Sequence, residues 1–129
     1  MMNNTLSNAL SKVLNCQKAG KDTCEIMPVS KTIREVLKIM KEDGYIGDVV
    51  EKKESKGIMF VVSLIGTINK CGVVSPRFPV KKGDFERFEK TYLPAKDFGF
   101  IIVSTQKGLM THKDAKKQGL GGRLVSYCY

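Results

Sequence analysis

The sequence predicts an α+β fold in which two small α/β subdomains pack together. Three observations support this prediction: apolar residues at helical spacing near the N-terminus, two β-branched runs around a polar turn, and a final third that alternates strands with a short basic helix. A chain of 129 residues can bury roughly two-thirds of its unfolded surface, enough for two small lobes that share a core. We therefore predict an N-terminal helix-strand-helix-hairpin subdomain, residues 1–65, and a mainly β C-terminal subdomain with short helices, residues 66–129.

The first element is an amphipathic helix, because apolar residues recur at intervals of three and four positions. These residues are Leu6, Ala9, Leu10, Val13 and Leu14. Asn3, Asn4 or Thr5 can cap the N-terminus of the helix. Gly20 can end it.

A short strand and a second helix follow. Residues 23–27 predict a strand that Pro28 cuts off. Ser30 can then cap a helix that ends at Gly44. The predicted buried face of this helix consists of Ile33, Val36, Leu37 and Met40.

The middle of the chain is predicted to be a hairpin followed by a turn-rich segment. Residues 45–53 and 57–65 are β-branched runs joined by the polar turn 54–56. Residues 75–83 contain two prolines and three basic side chains. Because each proline lacks the N–H that a sheet ladder needs, this segment is predicted to be an edge strand or a connecting arm.

A short helix capped by Asp84 comes next, followed by a strand over residues 98–103. Phe85, Phe88 and Tyr92 lie on one face of the helix, and their spacing favours the core over base stacking. Tyr127 and Tyr129 at the chain end are compatible with either role.

The last elements are a basic helix and a closing strand. Thr111 followed by Asp114 is a variant of the capping box, and Gly119 can end the helix over residues 112–118. Residues 123–129 predict a strand that returns beside residues 98–103. This pairing would bring the double glycine before the closing strand close to Ser104.

The candidate functional segment is the polar loop that we expect after the apolar run 98–103. Residues 104–108 supply two hydroxyls, an amide and an ammonium, with a glycine to turn the backbone. The lysines of the neighbouring helix face outward, and the chain carries a net charge of +9 with a pI near 9.5. This combination predicts a recognition loop for a polyanion such as a nucleic acid.

Several other classes of protein are disfavoured. Four cysteines without a C-x-x-C pair and a single histidine argue against zinc, so we predict buried, reduced thiols and no cofactor. The chain shows no signal-peptide pattern and no apolar run of ~18 residues. We therefore expect a soluble intracellular protein without a membrane partner.

Catalysis is disfavoured as well. The glycines Gly119, Gly121 and Gly122 leave a helix and enter a strand, which is the reverse of a phosphate-binding loop. His112 has Asp114 as its nearest carboxylate in the sequence. The alternative of another class is a small thiol enzyme that uses Cys71 or Cys128 with His112.

The C-terminal residues are similar to the signature of a known family, small-subunit ribosomal protein number eight (the S-eight family). The residues that match in order and spacing are Gly99, Ile102, Val103, Ser104, Thr105, Gly108, Leu109, Met110, Ala115 and Lys116. The segments NKCG (69–72) and SPRF (75–78) resemble the archaeal and eukaryotic branch, and GLGGR (119–123) favours the archaeal side. Where many relatives carry Asp-Pro, this chain has Asn4-Thr5, which affects only the capping of the first helix.

The resemblance implies a fold of two packed α/β subdomains and a function without catalysis. It implies a structural constituent of the small subunit of cytoplasmic ribosomes that binds the central domain of the ribosomal RNA early in assembly. Neighbouring ribosomal proteins would be its other partners, and the free protein would be a monomer. The alternative function is repression of its own messenger, a role known among bacterial relatives.

The resemblance also implies where the RNA binds. The primary contacts would be Ser104, Thr105, Gln106, Lys107, Gly108, Gly121, Gly122 and Arg123. Secondary contacts would be Lys113, Lys116, Lys117, Lys12, Lys31, Arg34, Lys70 and Arg77. Without the resemblance, Ser104 and Thr105 could simply form a turn with local side-chain to backbone bonds, and any single lysine could belong to a solvated face.

Overall fold

The computed structural model describes residues 5–26, 30–55, 57–74, 77–81, 83–95 and 98–129. The chain forms two compact units, Met1–Ile68 and Asn69–Tyr129. The division lies three residues beyond the predicted boundary of 65/66, because Ile68 exchanges hydrogen bonds with the Gln17 side chain and Thr67 donates to the carbonyl of Gly44. That residues 66–129 act as a separate RNA-binding subdomain stays a prediction.

The first unit begins with two helices and a short strand. Helix α1 spans Thr5–Lys18, strand β1 spans Thr23–Ile26 and helix α2 spans Lys31–Glu42. The apolar face of α1 is buried through Leu6, Leu10 and Val13, as predicted. The candidate caps Asn3 and Asn4, and the end of the predicted strand at residues 27 and 28, lie outside the described residues.

Helix α2 forms as its local signals predict. The Ser30 hydroxyl accepts a hydrogen bond from the N–H of Ile33 at 3.2 Å, which satisfies one of the orphan donors of the first turn. The helix ends at Glu42, and Gly44 follows with a φ of 81°. The predicted buried face is confirmed at all four positions, Ile33, Val36, Leu37 and Met40.

A three-stranded antiparallel sheet completes the first unit. Strand β2 spans Ile46–Glu54 and strand β3 spans Gly57–Leu64, in the order β1-β3-β2. Phe60 and Val62 of β3 alternate with more exposed neighbours. Only 3% of the surface of Phe60 and 0% of that of Val62 is exposed to solvent. The predicted hairpin is confirmed, and β3 occupies the centre because β1 and β2 pair with its two edges.

The second unit is built on a five-stranded antiparallel sheet with two short helices. In chain order its elements are β4 (Cys71–Val73), β5 (Pro79–Val80), α3 (Phe85–Tyr92), β6 (Phe100–Thr105), β7 (Gly108–Thr111), α4 (His112–Gln118) and β8 (Gly122–Cys128). The strand order is β4-β8-β6-β7, and β5 also pairs with β8. The predicted pairing of the closing strand with the strand before the polar loop is confirmed, and so is the α+β class.

The predicted strand 98–103 is shifted, and this changes the candidate site. Strand β6 begins at Phe100, and Gly99 before it has a φ of 86°. At the other end β6 continues through Ser104 and Thr105, because both residues pair with a strand, β7, that the sequence did not predict. The predicted recognition loop is therefore a β-hairpin, and only Gln106 and Lys107 form its turn.

The proline-containing segment forms an edge, as predicted. Pro79 and Val80 pair with Arg123 and Gly122 on the side of β8 opposite β6. Residues 75, 76 and 82 lie outside the described residues.

Helix α3 starts after Asp84, but one part of its prediction is wrong. The Asp84 side chain makes no capping hydrogen bond, since its backbone lies at φ −105° and ψ 5° instead of the extended region that capping requires. Phe85 is buried at 1% exposure, and Phe88 and Tyr92 pack against the hydrophobic cluster of the unit. The prediction that this aromatic face belongs to the core is confirmed.

The cysteines are buried and none is in a disulfide, as predicted. Burial raises the pKa of Cys71 to about 11. A thiol with such a pKa is almost entirely protonated near neutral pH and is a poor nucleophile. No helix among the described residues is long and apolar enough to cross a membrane.

Candidate nucleic-acid interface

The centre of the candidate interface is the tip of the β6–β7 hairpin. Ser104 pairs with Leu109 and Thr105 pairs with Gly108, so the turn consists of two exposed residues, Gln106 and Lys107. Gly108 has a φ of 113°, a conformation that a residue with a Cβ rarely adopts. The sequence thus builds a tight turn that projects an amide and an ammonium beyond the sheet.

The two hydroxyls of the hairpin have different roles. The Thr105 Oγ1 donates to the carbonyl of Gly108 at 2.9 Å and accepts from the N–H of Lys107 at 3.1 Å. Among the described residues, the Ser104 hydroxyl has no hydrogen-bond partner. Thr105 therefore holds the turn closed, and Ser104 offers a donor and an acceptor to a ligand.

Strand β8 approaches the backbone of Ser104 very closely. Arg123 is the register partner of Ser104. A Cβ at Gly122 would lie 2.1 Å from the carbonyl oxygen of Ser104, so any larger residue would push the two strands apart. The structure thus brings Gly122 close to Ser104, as predicted, and places the exposed Arg123 opposite Ser104. Gly121 is exposed just before β8 begins.

One row of residues crosses four strands at this end of the sheet. Pro79 of β5 pairs with Arg123, Arg123 pairs with Ser104, and Ser104 pairs with Leu109. Directly opposite residues of an antiparallel sheet place their side chains on the same face. The cation, the hydroxyl and two apolar side chains therefore share one surface, a pattern that spacing in the sequence did not reveal.

Helix α4 lies directly after the hairpin and adds basic groups. The Thr111 hydroxyl accepts from the N–H of Asp114 at 3.3 Å, and Gly119 ends the helix in the left-handed conformation with φ 68° and ψ 33°. Both capping predictions are confirmed. Lys113 and Lys117 are exposed.

Lys116 differs from the other lysines of α4, because its ammonium lies 2.5 Å from Oε1 of Glu89. The same carboxylate oxygen lies 2.9 Å from Nε2 of His112. The carboxylate that contacts His112 in the structure is therefore Glu89, and not Asp114, which is its nearest carboxylate in the sequence. Glu89 is 23 positions away in the sequence and reaches His112 only through tertiary packing, so no local pattern signals this partner.

His112 is a structural residue. Its ring is buried at 1% exposure, and Nδ1 accepts a hydrogen bond from the N–H of Ile101 at 3.0 Å. Burial lowers the pKa of His112, an effect that the nearby Glu89 carboxylate partly opposes. The neutral imidazole then donates from Nε2 to Glu89, and with both nitrogens occupied it has none left to activate a thiol.

The remaining predicted cations are distributed over both units. Lys70 and Arg77 are exposed in the second unit, and Lys12 and Lys31 in the first. Arg34 is bound to the carboxylate of Glu51 at 2.7 Å and lies over the Phe60 ring at 5.4 Å. Arg34 is thus less available to a phosphate than its position in the sequence suggests.

The model of a known protein family matches this chain over residues 4–129, and the family is described as ribosomal protein S8. The match covers nearly the whole chain. It includes every residue of the hairpin, of α4 and of β8.

Proposed function

The chain belongs to the ribosomal protein S8 family, and from this membership we propose that the β6–β7 hairpin binds the central domain of small-subunit ribosomal RNA and supports its assembly. Members of the family are structural proteins of the small ribosomal subunit that bind ribosomal RNA and are not enzymes, and this chain is one of them. The family predicted from the residues is thereby confirmed. The RNA domain and the contact residues are the content of the proposal.

The observation that carries the proposal is the hydroxyl of Ser104, which has no hydrogen-bond partner within the described part of the chain and lies in a hairpin with a closed turn. Thr105 closes the turn through two hydrogen bonds, so the hairpin requires little ordering when it binds. Binding therefore loses little free energy to immobilising the loop. Ser104 would contact a 2'-hydroxyl or a base edge directly.

The shape of RNA explains why a small polar side chain suits this position. In A-form helices the major groove is too narrow for side chains, while the minor groove is wide, shallow and lined by 2'-hydroxyls. A serine next to Gly122, the first residue of β8, allows the protein backbone to approach such a groove. A bulky residue at position 104 would hold the two surfaces apart.

The cations around the hairpin supply attraction to phosphates. Lys107 lies in the turn, Arg123 lies beside Ser104 across the sheet, and Lys113 and Lys117 are exposed on α4. Phosphate contacts position a protein on a nucleic acid, and contacts to bases and sugars specify the site. We propose these four residues as the positioning contacts and Ser104 as the specifying one.

Repression of its own messenger stays a prediction. It would use the same hairpin if that messenger folds into a similar internal loop. Location in cytoplasmic ribosomes and a monomeric free state are also part of the proposal.

The test compares two RNA fragments of equal length, one from the central domain of the small-subunit ribosomal RNA and one from another domain. We expect the full-length protein to bind the central-domain fragment at least tenfold more tightly at the same salt concentration. The expected complex also survives an excess of transfer RNA. Equal affinity for both fragments would contradict the proposed RNA domain.

A further inference from the structure

Two phenylalanine rings form a partly exposed stack beside β5. Phe78 exposes 39% of its surface, and its ring centroid lies 6.2 Å from that of Phe88, with the two planes 28° apart. Phe88 is half-buried against the hydrophobic cluster of the second unit. The guanidinium carbon of Arg87 lies 4.9 Å from the centre of the Phe88 ring. We refer to Phe78, Phe88 and Arg87 as the aromatic stack.

The aromatic stack is held in place by the sheet and by α3. The carbonyl of Phe78 accepts a hydrogen bond from the N–H of Leu124 at 3.0 Å, and the next residue, Pro79, pairs with Arg123. Phe88 is fixed from the other side because it belongs to α3. A ligand that stacks on Phe78 therefore meets a preorganised surface and pays little entropy for ordering it.

Most of the charge near the aromatic stack is positive. Arg77, Lys81 and Arg87 are exposed, and Arg123 lies across from Pro79. The carboxylates on this stretch are Asp84 and Glu86, which are exposed, and Glu89, which is engaged by His112 and Lys116. The centre of a protein–protein contact is depleted of charged residues, whereas exposed rings among cations are typical of surfaces for single-stranded nucleic acid.

The aromatic stack adjoins the hairpin that we propose as the RNA contact. Only β8 separates β5 from Ser104, and neighbouring strands lie about 4.8 Å apart, so Pro79 is roughly 10 Å from Ser104. Phe78 directly precedes β5, and its ring stacks on Phe88 of α3, so it faces α3 at the edge of the sheet. An RNA strand that contacts Ser104 and Arg123 reaches Phe78 by passing over that edge.

We propose that the aromatic stack binds an unpaired nucleobase of the RNA, which stacks on the exposed face of Phe78 while Arg77, Lys81 and Arg87 contact its flanking phosphates. The base must be unpaired and displaced, because the faces of paired bases are covered by their neighbours in the helix. The inference rests on the proposed function and extends its contact surface from the hairpin across β8 to β5.

The first test uses the absence of tryptophan from the chain. Phe78→Trp introduces a single indole at the stack, and Phe98→Trp is the matched control, since Phe98 is 46% exposed in the same unit and lies beside the Tyr129 ring. Each variant is titrated with a single-stranded RNA decanucleotide and with the central-domain fragment. We expect both RNAs to quench the indole at position 78 and to leave that at position 98 unchanged. Equal quenching, or none at either position, overturns the proposal.

The second test measures affinity for the central-domain fragment. Phe78→Leu keeps an apolar side chain but removes the π-face, and we expect it to weaken binding about five- to a hundredfold. The dependence of affinity on salt should not change, because no charge is lost. Phe98→Leu should bind like the wild type, and thermal melting verifies that both variants fold. An unchanged affinity of Phe78→Leu overturns the proposal.

The two proposals fail in different ways. If the wild-type protein shows no preference for the central-domain fragment, the proposed function fails. The decanucleotide titration still tests whether the aromatic stack binds a nucleobase. If Phe78→Leu keeps full RNA affinity but a neighbouring protein is lost from reconstituted small subunits, the stack is a protein contact. That result overturns the inference and leaves the hairpin proposal intact.

Discussion

The Ser104 hydroxyl has no intramolecular partner among the described residues, whereas the Thr105 hydroxyl has two. Neighbouring residues of the same chemical type thus differ in whether their hydroxyl is available to a ligand. We expect Ser104→Ala to weaken binding of the central-domain fragment about fivefold, which corresponds to about 1 kcal/mol for one hydrogen bond. The melting temperature should not change, because no internal bond is lost.

Two comparisons make the Ser104 experiment specific. Ser55→Ala removes an exposed serine from the turn of the first unit and should leave RNA binding unchanged. Thr105→Val removes both turn bonds and should lower the melting temperature as well as the affinity. If Ser104→Ala and Ser55→Ala bind equally well, the hydroxyl of Ser104 is not in the interface.

The lysines of α4 are predicted to contribute unequally to RNA binding. Lys117 is exposed, while Lys116 is already paired with Glu89. We expect Lys117→Gln to weaken binding of any RNA and to reduce the slope of log K against log salt by about 0.7–0.9. Lys116→Gln should reduce this slope less, because the charge that is removed at Lys116 is already largely compensated by Glu89. Affinities measured at three salt concentrations distinguish the two variants, and equal slopes would contradict this interpretation.

Burial of neutral His112 makes stability depend on pH. The pKa of His112 is lowered by burial from its ordinary value of 6.5, so the unfolded chain binds a proton that the folded chain rejects. The contribution of His112 to the free energy of unfolding is fully present above pH 6.5. It decreases as the pH falls below 6.5, by at most about 1.4 kcal/mol per pH unit.

Urea unfolding at pH 7.5 and at pH 5.5 measures this contribution. His112→Gln is the control, because its amide can donate to Glu89 without titrating. Its loss of stability at pH 5.5 should be smaller than that of the wild type. Equal losses in the two proteins would show that His112 does not titrate differently on folding.

At the scale of elements, the β6–β8 pair is the part of the second unit that positions the candidate site. Gly122→Ala would place a Cβ 2.1 Å from the Ser104 carbonyl oxygen. Strand β8 must then move away from β6, which should destabilise the protein by about 1–3 kcal/mol and displace Ser104 and Arg123 from each other. We expect weaker RNA binding together with a lower melting temperature.

Gly83→Ala is the matched control for this change. No atom of the residues that the structure describes lies within 4 Å of a Cβ at position 83, so stability and RNA affinity should remain at the wild-type level. A Gly122→Ala variant as stable as Gly83→Ala would mean that the sheet accommodates the methyl group without cost.

The helices and strands differ in how strongly the local sequence predicts them. Helix α2 and helix α4 were predicted with their caps, because Ser30, Thr111 and Gly119 act on backbone groups within four positions of themselves. Strand β7 was missed, because four residues that begin with glycine show no alternation. Its pairing with β6 comes from the hairpin, not from its own composition.

For the whole molecule, the net charge of +9 predicts a strong dependence of RNA binding on salt. If Lys107, Lys113, Lys117 and Arg123 each neutralise one phosphate, log K should fall with a slope of about −3 to −4 against log salt. Affinity for the central-domain fragment should then decrease on the order of a hundredfold between 50 and 200 mM salt. A slope near zero in a filter-binding titration would contradict electrostatic positioning by these cations.

The sequence by itself determined the α+β class, the helices, the caps of α2 and α4, the two hairpin strands of the first unit and the family. These features depend on periodicity and on residues close together in the chain, which a linear pattern records directly. Only the tertiary structure decided that Ser104 and Thr105 lie in a strand, that Glu89 pairs with His112 and Lys116, and that Phe78 lies two strands from Ser104. These depend on strand register and on contacts between residues far apart in the sequence, whose energies arise only after the chain has folded.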